Sequence, residues 1–186
     1  MVKRVRVRYQ GTVQGVGFRP HIYRLAKAHQ LAGWVNNDPG GVTVEVEGEP
    51  EQIERFLKAS VEQAPVLSRI KSVESREIEP KGEKDFVIRE SERGEVVNTQ
   101  VSPDSATCPD CLRELFDSED RRYRYPFINC TNCGPRYTII EQIPYDRPYT
   151  TMKIFKMCPE CEREYHDPMD RRFHAQPLSL IHISEP

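Results

Sequence analysis

The stretch Lys3–Pro20, KRVRVRYQGTVQGVGFRP, changes character at Gly11, and that change decides the fold. Before it, Val5, Val7 and Tyr9 alternate with Arg4, Arg6 and Arg8, the period-two pattern of a strand with one buried face. After it, closely spaced glycines can turn several backbone N–H groups to one side, and a helix opening near Pro20 adds the positive end of its dipole. Arg19 stands where loop meets helix, and its guanidinium fork matches two phosphate oxygens. Gln14, Gly15, Val16, Gly17, Phe18 and Arg19 are therefore the candidate phosphate-binding set. On glycine spacing alone, a plain strand-to-helix turn with a solvated arginine remains the better account.

Working outward, residues 20–30 place Ile22, Leu25, Ala26 and His29 on one helical face, with Pro20 in the first turn. A strand is expected over Gly33–Asn37, then a turn at Asn37-Asp38-Pro39-Gly40-Gly41. Val42, Val44 and Val46 form the buried side of the return strand. Pro50 opens a second helix with Ile53, Phe56, Leu57 and Val61 on one face. Further strands are expected at Ile70–Ile78 and Phe86–Arg89. The order βαββαβ, with an extra final strand, predicts an α+β ferredoxin-like sandwich, one sheet covered on one face by two helices. Asn37, in GWVNN eighteen residues after Arg19, carries an amide able to orient a water beside a bound phosphate. Its spacing alone favours a turn residue.

The 186 residues carry a formal net charge of −2, with 37% hydrophobic and 30% charged residues, so nothing in the charge balance draws the chain to nucleic acid or an anionic membrane. There is no run of 18 apolar residues, and MVKRVRVRYQ alternates charge with valine instead of forming a signal-peptide core. A cytoplasmic protein is expected. All six cysteines lie between Cys108 and Cys161 as three CxxC pairs, which without an export signal favours zinc over disulfides.

After a polar, weakly patterned linker, the cysteine-bearing region repeats itself at an offset of 50 residues. CPDCLRELFDSEDRR at 108–122 lies over CPECEREYHDPMDRR at 158–172 with nine of fifteen positions identical. Cys108, Cys111, Cys130 and Cys133 have the spacing of a closed, structural four-cysteine zinc site. Such a staple suits a segment with so little aliphatic content. Cys158 and Cys161 are half of a second site, whose missing pair would fall at Leu180 and Ile183. His166, His174 and His182 are alternative ligands. Arg121–Phe127, RRYRYPF, mixes basic and aromatic residues as single-strand nucleic-acid platforms do. The neighbouring acids Asp117, Glu119 and Asp120 cancel that charge, and packing of the aromatics round a zinc site explains them more simply; no nucleic-acid or membrane partner is expected.

Gly11–Arg19 with GWVNN resembles the signature of the acylphosphatase family, over residues 3 to about 90. The resemblance implies that Arg19 binds the substrate phosphate and that Asn37 positions the attacking water. It also implies catalysis without a side-chain nucleophile, with the substrate's own phosphate as proton acceptor. Together with CTNCGPRYTI and DRRFHAQP, the pattern over residues 1–177 is similar to the N-terminal part of the HypF family, carbamoyltransferases of nickel–iron hydrogenase maturation. That resemblance implies hydrolysis of carbamoyl phosphate by the first domain. Later domains would then use ATP to pass the carbamoyl group to a HypE-like acceptor protein. A general acylphosphatase carrying a zinc module and a non-catalytic phosphate- or partner-binding module are the alternatives. The expected organisation is an acylphosphatase-like domain at 1–91, a linker at 92–107 and a first four-cysteine zinc finger at 108–142. A connector at 143–157, an incomplete second repeat at 158–177 and a non-native tail at 178–186, closing a truncated chain, complete it.

Overall fold

Alternation at the start of the chain becomes β1 (Lys3–Thr12), whose Val7 and Tyr9 are fully buried. α1 (Phe18–Ala28), β2 (Ala32–Asp38), β3 (Gly41–Gly48), α2 (Pro50–Glu62), β4 (Arg69–Ile78) and β5 (Phe86–Ile88) follow. The sheet order is β4-β1-β3-β2-β5, antiparallel throughout except for the parallel pair β2–β5. This is the expected sandwich with its extra strand. The computed structural model describes residues 2–38, 40–89, 103–142 and 145–179. It divides into two units, Met1–Gln100 and Val101–Pro186.

One face of the first unit's sheet supplies Val7, Tyr9, Val35, Val42, Val44 and Val46 to a core closed by Ile22 and Ala26 of α1 and by Ile53 and Phe56 of α2. Two details differ from the sequence reading. α1 begins at Phe18 because Gly17, at φ 77°, turns the chain into the helix and leaves Pro20 in its first turn. On α2, Val61 is 45% exposed and Ser60 is buried in its stead. The Ser60 hydroxyl is 2.7 Å from the buried Tyr9 hydroxyl, so the position facing the sheet is one that gives a buried polar group its partner.

The arginine side of β1 is not the solvent stripe that alternation suggests. Arg4 is fully buried: Nε donates to Glu45 Oε2 at 3.0 Å and Nη1 to Glu47 Oε2 at 2.8 Å, while Nη2 lies 3.2 Å from Glu83. Glu47 in turn accepts from the backbone N–H groups of Lys81 (2.8 Å) and Gly82 (2.7 Å), which pins the chain after β4 across this end of the sheet. Burial works against the Arg4 charge, yet its bonds to Glu45, Glu47 and Glu83 outweigh it and raise the arginine further. Burial likewise raises Glu45 and Glu47, and their arginine and backbone donors more than offset it, so both end below their ordinary values.

The second unit is built on the fifty-residue repeat. Cys108 and Cys158 cap the equivalent helices α3 (Pro109–Phe116) and α4 (Pro159–His166), each thiol accepting from the N–H three residues on at 3.5 Å. Arg124 and His174 both take a left-handed backbone, and their N–H groups return to Leu115 and Tyr165. The correspondence runs on to Leu178, which is fully buried where Ile128 sits in the first repeat. Leu180 and Ile183 lie outside the described residues.

Removing the Arg4 cation should leave the buried Glu45 to Arg6 alone and Glu47 with only its backbone donors. Arg4→Met is expected to cost about 3–5 kcal/mol at neutral pH. A lowered folded-state pKa means stabilisation that is complete above the ordinary glutamate value of about 4.3 and lost as pH falls through the lowered one. The penalty of Arg4→Met should therefore shrink toward acid. Urea unfolding at pH 7 and pH 3.5, followed through Trp34, checks both.

Candidate functional site

From the end of β1 into the first turn of α1 the chain buries Val13, Val16 and Phe18, each 1% exposed, and leaves the alternating Gly15, Gly17 and Arg19 half-buried. Gly15 and Gly17 adopt φ of 71° and 77°, the left-handed backbone that lets successive N–H groups converge on an anion. Val16 and Phe18, expected in the phosphate set, thus have only backbone to offer. Their side chains anchor the loop.

Asn37 lies on β2 two residues beyond the core residue Val35 and so faces the helix side of the sheet. Turned as hydrogen bonding requires, its side-chain oxygen accepts from Arg19 Nε at 3.1 Å and Nη2 at 3.2 Å. The two candidate residues, eighteen apart in sequence, are in direct contact. This leaves the Asn37 amide nitrogen, a donor, turned away from the guanidinium.

Gln14 does not project toward a ligand. Its Nε2 donates to the backbone carbonyls of Asp38 (2.8 Å) and Gly41 (2.6 Å), tying the loop to the β2–β3 hairpin. The hairpin is also held by Asp38, whose carboxylate accepts from Gly40 N–H (2.7 Å), Thr43 Oγ1 (2.5 Å) and Arg8 Nη2 (3.0 Å). Burial raises the Asp38 carboxyl, but these three donors outweigh it and hold it below its ordinary value. Neither the Gln14 clamp nor the Asp38 tie was legible in the sequence. The turn residues marked the hairpin but not what fastens it.

The second site is the thiol cluster. The sulfur atoms of Cys108, Cys111, Cys130 and Cys133 lie within 4.8 Å of one another. Cys108 Sγ is 3.6 Å and Cys133 Sγ 3.9 Å from Cys130 Sγ. A tetrahedral ion with metal–sulfur bonds of about 2.3 Å requires sulfur–sulfur edges of about 3.8 Å, so the donor set fits. Hydrogen bonds from the Cys111 and Cys130 thiols hold the Cys133 thiol down to about 3. Bonds to Cys130 and Cys133, with burial, push Cys111 far up. Cys158 and Cys161 sit apart from this cluster; among the described residues it is the one group of metal-ligand geometry. Residues 103–107 join the first repeat through Arg136, which donates to Ser105 O at 2.9 Å. Between the repeats, Arg147 donates to the carbonyls of Gln176 (2.5 Å), Phe155 (2.7 Å) and Leu178 and clips the end of the second one in place.

The acylphosphatase family matches residues 5–88, and an acylphosphatase from Thermotoga maritima is 37% identical over 89 residues, 47% of this chain and 98% of the relative. The chain belongs to the acylphosphatase family. To this acylphosphatase domain it adds a second family match, the HypF finger, over residues 107–140 and 157–182. The combination is that of the N-terminal part of HypF carbamoyltransferases. HypF2 of Cupriavidus necator is 48% identical over 154 residues, 82% of this chain and 19% of the relative. A crystal structure of full-length HypF in its phosphate- and nucleotide-bound form superposes with a TM-score of 0.88 at 54% identity, over 97% of this chain and 24% of that one. The chain thus spans about a fifth of the length of such relatives. Among the described residues, no helix is long and apolar enough to cross a membrane.

If Gln14 fastens the acylphosphatase loop to the hairpin, Gln14→Ala strands two carbonyls and should cost about 1–3 kcal/mol. It should also slow acyl phosphate hydrolysis by loosening Asn37 relative to Arg19. Urea unfolding and steady-state turnover of acetyl phosphate check the two effects separately.

Proposed function

We propose that the first unit hydrolyses carbamoyl phosphate, as the opening step of a HypF-type carbamoyl transfer in the cytoplasm. The observation that carries this reading is the contact of Arg19 with Asn37 at the mouth of the glycine loop. The loop N–H groups and the guanidinium would hold the phosphate. Arg19 keeps donors beyond those that Asn37 accepts, since a guanidinium has five N–H groups. With its oxygen committed to Arg19, Asn37 would offer its N–H to a water beside the acyl carbon. That water attacks the carbamoyl carbon, the bond from carbon to the bridging oxygen breaks, one of the water's protons passes to the departing phosphate, and the other is released to solvent. Carbamate and inorganic phosphate result. Such a reaction needs positioning and charge stabilisation and no nucleophilic side chain.

The second unit would hold a structural zinc on Cys108, Cys111, Cys130 and Cys133, a shell with no position open to water. Bound there, the ion supplies folding stability to a segment with little aliphatic core. Cys158 and Cys161 would bind a second ion only with further ligands. Transfer of the carbamoyl group to a HypE-like acceptor would need regions of the HypF relatives beyond the fifth of their length that this chain spans.

Asn37→Ala should lower kcat for carbamoyl phosphate by roughly 10²–10³-fold with little change in inhibition by inorganic phosphate. Arg19→Ala should abolish that inhibition as well as turnover. Equal kcat/KM for acetyl and carbamoyl phosphate would instead support a general acylphosphatase. Phosphate binding without turnover of either would leave a binding module.

Metal analysis should find close to one zinc per chain, lost in Cys130→Ser and barely changed in Cys158→Ser. Two zincs in the unaltered chain would overturn this ligand assignment.

A further inference from the structure

Glu114 and Glu164 occupy the same place in the two repeats, and each is paired with the other repeat's arginines. Glu114 accepts from Arg171 and Arg172; Glu164 accepts from Arg122 and forms an ion pair with Arg121 at 2.8 Å. Arg122 and Arg172 are almost wholly buried in the exchange. It carries the first arginine of each pair to the thiols of the opposite repeat. Arg171 Nη1 donates to Cys111 Sγ at 3.1 Å, and Arg121 Nη1 lies 3.7 Å from both Cys158 Sγ and Cys161 Sγ. The backbone of Arg171 is engaged too. Its carbonyl accepts from Thr131 N–H at 2.8 Å and Thr131 Oγ1 at 3.0 Å, inside the turn between Cys130 and Cys133.

We propose that Arg171 is a positioning residue of the four-cysteine centre, so that the second repeat completes the surroundings of the metal held by the first. The inference rests on the reading of Cys108, Cys111, Cys130 and Cys133 as metal ligands. Four thiolates on a divalent ion carry an excess of two negative charges. A guanidinium donating to one of them withdraws charge from that sulfur, lowers its basicity and fixes its orientation. Arginine stays charged at any pH at which the site exists, so this donor cannot be titrated away. The first repeat's own double arginine is meanwhile committed to Glu164. The fifty-residue duplication is therefore a reciprocal swap: each repeat lends its arginines to the other, and the first one's metal retention depends on a side chain sixty residues beyond Cys111.

Competition titration of the whole chain against a chromogenic chelator reads the effect. Arg171→Ala should lower zinc affinity about 10–100-fold. With cobalt in place of zinc, the same variant should move the sulfur-to-metal charge-transfer band to lower energy, since the sulfur loses its donor. Arg172→Ala removes an ion pair with Glu114 but touches no sulfur, and should leave the band in place and the affinity close to that of the parent. Parent-like affinity and spectrum in Arg171→Ala would overturn the proposal. So would equal effects in both variants, which would mean general loosening of the unit. If Arg171→Ala does not fold, Arg171→Lys carries the test. It keeps the charge without the fork and should give a smaller affinity loss and a partial band shift, and no change in either would overturn the role. A parent chain that binds neither ion would overturn the metal-site reading itself, and the inference with it, before any variant is made.

Discussion

The backbone from the end of β1 into the first turn of α1 must bury Val13, Val16 and Phe18 while turning Gly15, Gly17 and Arg19 the other way, and the first unit's site follows from that constraint. Side chains that disappear into the core hold the loop rigid. Glycines between them accept the left-handed backbone that a side chain would oppose. Gln14, the one polar residue buried within the loop, spends its amide on the hairpin that carries Asn37. The glycine turn and the packing of the core are thus one device: moving the anchors would move the candidate site.

A different economy governs the second unit. Its buried residues are cysteines, aromatics and paired ions, with few aliphatic side chains among them. Segments of this composition do not cover the entropy of folding by apolar burial alone. Cross-repeat ion pairs supply part of the remainder, and their geometry is demanding, because Arg122 and Arg172 are buried and a buried charge without its partner is costly. Both repeats have to be present for either set of arginines to be satisfied. The same logic appears in the first unit, where Arg4 is tolerated inside the protein only because Glu45, Glu47 and Glu83 surround it.

Much of this was legible in the chain before its folding. Period-two alternation located the strands, because a pleated strand with one dry face imposes that period directly on the sequence. The CxxC spacing located the thiol cluster, because two tight turns are the shortest way to bring four sulfurs together. Val61 and Arg4 show the limit of such local reading. Helical spacing placed Val61 inward and alternation placed Arg4 outward, and in both cases a partner distant in sequence reversed the outcome. For α2 it was the Tyr9 hydroxyl bonded to Ser60, and for β1 a chain segment crossing the sheet some eighty residues later.

Gln14 and Arg171 mark the same boundary at the two sites. That both repeats retain a glutamate and a double arginine is visible in the residues; that they are exchanged between repeats is not, since pairing within a repeat would satisfy the same pattern. What the sequence determined by itself is everything that depends on the spacing of neighbours: strands, helices, the glycine turn, the thiol spacing and the duplication. Which distant group meets each buried polar atom was decided only by the tertiary structure. A hydrogen bond or an ion pair is set by where its two atoms end up in space, and no local period encodes that.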